Sequence, residues 1–218
     1  PTSSHNTERE CIVKTLNWNI FFMSCVLVSA CSSPETNAPT GGDTSQAANA
    51  LPSVDEAELA DNPFRQDWQT PFGVPPFAEI EDDDYMPAIS KAIEELRSEI
   101  SAITAITSEP TFENTILAFE LAGSPLDKVA YTFNNVTNTD SNDMLRELET
   151  QIFPLLTREF DAIVLNEVLY ERVKTVYDAR DELDLDEQQA RLLELTHRRF
   201  VRAGAIFAPE VKERVAEI

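Results

Sequence analysis

Histidine, cysteine and clustered carboxylates are the side chains from which hydrolytic and metal centres are built, and this chain is short of the first two. Its histidines are His5 and His197, and its cysteines are Cys11, Cys25 and Cys31. A zinc site takes three or four ligands, and the catalytic His-Glu-x-x-His pattern needs two histidines four positions apart. No such pair occurs in the sequence, so no catalytic and no metal-binding residue is assigned within it. All three cysteines lie at its N-terminal end, which leaves none for a disulfide or a thiolate site from Ser32 onward.

Four other groups could do chemistry. Asp82-Asp83-Asp84 has the charge of a calcium loop, but it lacks the alternating oxygen ligands and central glycine of one. It reads instead as the acidic start of a helix. Arg198, Arg199 and Arg202 form a basic cluster in an acidic protein. A guanidinium forks onto a carboxylate, so the cluster could hold a peptide carboxylate. It could equally pair with a nearby acid such as Glu194, or with a partner domain, and the plainer pairing is the expectation. His197 has no second histidine near it and is expected on a surface or helix face. Glu113 and Asn114 are expected to be helix-start residues rather than an acid–base pair.

The chain carries 39 acidic against 17 basic residues, a formal net charge of −22. No basic stripe with interleaved aromatics offsets this, so phosphate backbones are repelled and nucleic-acid binding is excluded. The chain has only five glycines, and Leu, Ala, Glu, Arg and Ile recur at helical spacing. That usage favours helices over sheets, and the expected fold class is all-α.

The N-terminal stretch reads as an address and a tether. Leu16 to Ala30 is an apolar run of signal-peptide length ending in small residues. Val28-Ser29-Ala30-Cys31 resembles a bacterial lipobox, in which small residues precede the cysteine that is lipidated and becomes the mature N-terminus. The expectation is a lipoprotein signal over residues 1–30, lipidation at Cys31, and a location facing the periplasm on a bacterial envelope membrane. An uncleaved anchor is the competing reading. Residues 31–61 are rich in Ser, Thr, Ala, Pro and Gly, a composition that cannot bury enough surface to fold, and are expected to be a flexible linker.

From Asn62 the pattern changes. The Pro- and aromatic-rich stretch to Phe77 predicts an irregular lead-in, with Phe64, Trp68, Phe72 and Phe77 docking on a helical body. A first helix follows the acidic triplet, with Tyr85, Ile89, Ile93, Leu96, Ile100 and Ile103 on one stripe. Pro110 to Thr115 opens a second, which Gly123 stops. Ser124-Pro125 starts a third, capped by Ser124 with proline at the first helical position. A fourth runs from about Asp143, with a kink expected at Pro154. Asn166 caps a fifth, and Asp184 with Glu187 begins a sixth. Pro209-Glu210 opens a seventh that stops at Ile218 with no cap, so the sequence is expected to be interrupted there.

Several of these elements carry a family resemblance. Asn62-Pro63-Phe64, Val74-Pro75-Pro76-Phe77 with Tyr85 and Pro87-Ala88, and Pro110-Thr111-Phe112-Glu113-Asn114-Thr115-Ile116 stand in order. Phe133-Asn134-Asn135, Leu165-Asn166 with Leu169, and Arg191-Leu192-Leu193-Glu194 followed by Phe200 to Ala205 continue the series. Together they resemble the opening of the thimet-oligopeptidase-like zinc metallopeptidases, in the branch of dipeptidyl carboxypeptidase and oligopeptidase A.

The resemblance implies that residues 62–218 are the N-terminal helical lobe of a two-lobed, channel-forming oligopeptidase, incomplete at its C-terminus. It implies zinc in the intact protein, held by ligands absent from this chain, and short peptides as substrates. This segment would wall the channel and be inactive without the missing C-terminal catalytic lobe. A reading from another class stays open: a non-catalytic helical lipoprotein that binds peptides or a protein partner.

Overall fold

A computed structural model describes residues 51, 52, 54 and 56–207. Its named elements belong to one unit, Val54–Ile218. Among the described residues every regular element is helical and no strand occurs, so the all-α expectation holds. After a single turn at Glu56–Leu59 and short 3-10 turns come α1 (Tyr85–Thr104), α2, α3 (Ser124–Thr139), α4 (Asp143–Val164), α5 (Glu167–Asp178) and α6 (Glu187–Arg202). Helix α2 is composite: a π-helical stretch Phe112–Leu117 continues as one α-helical turn, Ala118–Leu121.

Helix α1 is central, packing against α2, α3, α4 and α5. All six residues of its apolar stripe are buried, and so are Ala88, Ser90 and Ala92. Small residues beside the stripe widen the face that other helices can cover. Each large apolar side chain removed from water contributes about 1.5–3 kcal/mol, against about 1 kcal/mol for a cap. Burial of the stripe, not the acidic start, therefore decides where α1 sits. A bidentate ion pair adds a polar tie to α4: Arg97 Nε donates to Glu159 Oε2 at 2.8 Å, while Nη2 donates to Oε1.

The acidic triplet does act as a helix start. Asp82–Asp84 forms a 3-10 turn, and the Glu81 N–H donates to Asp84 Oδ2 at 2.8 Å. It is also a joint: Asn142 Nδ2 donates to Asp82 Oδ2 at 2.7 Å, and Asn62 Nδ2 donates to the Asp84 carbonyl at 3.0 Å.

The lead-in departs from expectation in half of its aromatics. Phe64 is buried against Tyr85, with ring centroids 5.3 Å apart, and Trp68 is half-buried. Its indole N–H donates to the Pro63 carbonyl at 2.9 Å, and the Lys128 ammonium lies 4.2 Å from its ring centroid. Phe72 and Phe77, by contrast, are exposed. An aromatic count shows that rings are present but not which way each residue of an irregular segment turns.

Two helix starts differ in detail. Gly123, in the left-handed region at φ 79°, is the N-cap of α3, and the Asp127 N–H donates to its carbonyl at 3.0 Å. Ser124 turns back instead and donates to the Leu121 carbonyl. The sixth helix begins two residues later than expected. Asp186 Oδ1 accepts from the N–H groups of Gln188 and Gln189 at 2.8 Å each, and Gln189 Oε1 accepts from the Asp186 N–H. Each of the two acids has a Glu or Gln three residues on, and it is the Asp186–Gln189 pair that closes the box. Asn166 caps α5 as expected, and α4 runs through Pro154 from Asp143 to Val164. The seventh helix, from Pro209, lies outside the described residues.

Candidate functional site

The basic cluster of α6 does not form a single anion site. Arg198 Nη1 donates to Glu194 Oε1 at 3.4 Å, the pairing expected of it. Arg191, one turn earlier, shares the same carboxylate and holds Glu194 below the usual carboxylate range. Arg199 is drawn inward between α2 and α3, its guanidinium 6.0 Å from the Phe119 ring centroid. Burial lowers its pKa, and the charges of Glu120 and Asp127 oppose that shift. Tyr131 shares this pocket of charge, and burial, with Asp127 next, raises its phenol. Arg202 stays exposed in the last turn. The three guanidiniums thus meet three different surroundings.

His197 faces α5 rather than open water. Its ring stacks on Tyr177 with centroids 3.8 Å apart and planes 5° off parallel, and Tyr170 lies beyond at 6.3 Å. Burial lowers its pKa and Asp178 opposes that. A half-buried, stacked imidazole is a packing element here, which keeps the helix-face expectation and sets aside the surface one.

Glu113 and Asn114 open α2. Asn114 Oδ1 accepts from the Thr111 N–H at 2.9 Å while Thr111 Oγ1 accepts from the Asn114 N–H at 3.1 Å, a reciprocal box. Glu113 is exposed in the first turn.

Sequence reasoning passed over Arg172. It is 7% exposed on α5 and reaches the loop before α2. Nη1 donates to the Ile106 carbonyl at 2.8 Å, and Nη2 donates to Asn114 Oδ1 at 2.9 Å and Thr115 Oγ1 at 3.1 Å. One guanidinium therefore fastens the Pro-Thr-Phe-Glu-Asn-Thr element to α5. Beside it a shallow groove of about 360 Å³ is lined by Pro110, Glu167, Val168, Glu171, Arg172 and Thr175. The available signal was an arginine among the apolar positions of α5, between Leu169 and Val173, where a charged residue needs partners.

Arg172, Arg199 and His197 join one helix to another, whereas the Glu194 pairs and the Thr111–Asn114 box lie within single elements. Among the described residues no group of three or more His, Cys, Asp or Glu stands close enough to hold a metal ion. Cys31, His5, Cys11 and Cys25 lie outside the described residues. No described helix is long and apolar enough to cross a membrane.

No family model matches the chain. Curated relatives do. It is 36% identical over 157 residues to a dipeptidyl carboxypeptidase of Salmonella typhimurium, covering 72% of this chain and 23% of that protein. The Escherichia coli protein of the same name is 37% identical over 154 residues. Oligopeptidase A of Escherichia coli is 25% identical over 149 residues, covering 68% of this chain and 22% of its own length. The chain therefore spans about a quarter of the length of the relatives it matches. Over its matched stretch the chain is homologous to the dipeptidyl carboxypeptidases and to oligopeptidase A, and it fits an N-terminal portion of such proteins.

Proposed function

We propose that this chain is the N-terminal segment of a zinc metallopeptidase that hydrolyses short peptides by releasing dipeptides from their C-termini. The observation that carries the reading is the 36–37% identity, over about 70% of the chain, to two proteins named dipeptidyl carboxypeptidase. Identity to oligopeptidase A is lower, at 25%, which favours dipeptide release over internal cleavage.

In this proposal the zinc and its ligands lie outside Pro1–Ile218. A bound zinc ion polarises the scissile carbonyl and activates water. The work of this chain is structural: its helices wall a substrate channel that admits short unfolded peptides and excludes folded proteins. The all-helical build, with Arg97 and Arg172 tying one helix to another, suits a wall.

We also place residues 1–30 as a lipoprotein signal, Cys31 as the lipidated residue, 31–61 as a spacer and 62–218 as the helical region. The protein would then work from an envelope membrane facing the periplasm. The lipobox-like Val28-Ser29-Ala30-Cys31 supports this part. The test of the activity is chelator-sensitive release of C-terminal dipeptides from an N-blocked short peptide by the full-length protein. Failure to hydrolyse any such peptide with zinc supplied would remove the reading.

A further inference from the structure

One residue on the described surface is at odds with a free surface in both its backbone and its side chain. Phe72 has φ 62°, a region that a bulky residue with a Cβ rarely occupies. Its ring is also fully exposed, at 104% of the reference area. Local strain persists where something beyond the local chain holds it, and within the described unit the ring gains no cover in return.

The turn is built to hold that ring still. Pro71 presets its own φ, and Gly73, also at positive φ, accepts the reversal. The Gly73 N–H donates to the Thr70 carbonyl at 3.2 Å, the Val74 N–H donates to the Pro71 carbonyl at 3.4 Å, and the Thr70 hydroxyl donates to the Val74 carbonyl. Upstream, Trp68 is pinned by its indole bond to the Pro63 carbonyl and by Lys128 over its ring. Val74 and Phe77 add exposed apolar surface beside the turn. A rigid turn that presents one large ring with smaller apolar neighbours has the anatomy of an interface anchor.

We infer that Phe72, flanked by Val74 and Phe77, docks into an apolar socket on the remainder of the same polypeptide. This rests on the reading that the protein continues into a catalytic part. The matched relatives argue for that occupant, since this chain covers only 22–23% of their length. Within one chain a small anchor suffices, because its effective concentration is high. Asp67, Glu79 and Glu81 flank the turn and are exposed, so the socket's rim carries Lys or Arg. The same acids, on a chain of net charge −22, disfavour a second copy as the occupant.

The test uses the full-length protein with Phe72→Gly and Phe72→Asn. Both replacements tolerate positive φ and leave the turn intact. A docked ring predicts that each lowers the unfolding midpoint by at least about 2 °C. An uncovered ring predicts an unchanged or raised midpoint, because the backbone is relieved and nothing is lost; that result overturns the proposal. Hydroxyl-radical footprinting of the unaltered protein gives a second measurement. Protection of Phe72 relative to the denatured protein, independent of concentration, supports docking. Labelling at the denatured rate, or protection that appears only as concentration rises, overturns it. Dipeptide release is assayed on the same sample. Activity with an unprotected Phe72 removes the docking proposal alone, whereas absence of activity removes the peptidase reading, and docking is then judged by the footprint.

Discussion

Arg172 shows most clearly how single residues organise this unit. Its guanidinium meets two backbone carbonyls, an amide oxygen and a hydroxyl, all from one segment more than fifty residues away in sequence. Arg172→Met fills much of the same volume but takes the donor from the Ile106 carbonyl, while Asn114 Oδ1 keeps the Thr111 N–H and the Thr115 hydroxyl as donors. A buried group so stranded costs about 1–3 kcal/mol, and that is the loss expected by denaturant unfolding of the full-length protein. Arg172→Lys keeps the charge but not the fork, and recovers only part of that loss. A loss below about 0.5 kcal/mol for Arg172→Met, the range of an ordinary surface change, would show that the node is ornamental. Residues of this kind are hard to read in advance. The apolar periodicity of α5 announces a buried face, and the arginine on it announces a need for partners, but its partners come from a loop that one-dimensional spacing cannot place. The same limit governed Arg199, which nearness in sequence grouped with Arg198 and Arg202 although its side chain turns inward.

At the scale of elements, α1 and α5 were legible because their signals are redundant. Stripe, cap and polar face agree on α1, and Asn166 stands at the correct distance from Leu169 for α5. Two boundaries moved where a neighbouring residue could also cap: Ser124 lost the cap of α3 to Gly123, and Asp184 lost that of α6 to Asp186. The π-helical stretch in α2 was not readable at all, since a single extra residue per turn leaves the apolar pattern almost unchanged over so short a span. The expectation that Gly123 stops α2 held, and it also starts α3. A methyl group at Gly123 would meet Leu96 Cδ1 at 3.2 Å, and the backbone sits at φ 79°. Its N–H also donates to Glu99 Oε2 at 2.7 Å, tying the α2–α3 corner to α1. Gly123→Ala is expected to destabilise by about 1–2 kcal/mol from the left-handed backbone, with Gly123→Asn closer to wild type. Equal stability of wild type and the alanine variant in a thermal melt would mean that the corner relaxes freely.

At the scale of the whole molecule, the described unit is helical, the sequence is acidic, and the relatives are about four times the matched length, so the function of the intact protein rests on that relation. Membrane attachment through Cys31 is the part of the account tied to a single side chain. Cys31→Ala is expected to move the protein from the membrane to the soluble fraction, because the thiol at the lipobox position is gone. Unchanged partitioning would dismiss the lipid anchor. The central claim is peptidase action, and the most direct measurement is the mass of the products. Full-length protein is incubated with an N-blocked peptide of about ten residues, with zinc and then with a chelator. The account predicts successive losses of two C-terminal residues, with free dipeptides appearing in step and both halted by the chelator. Products cut only at internal bonds, or an intact peptide after prolonged incubation with zinc, would contradict it.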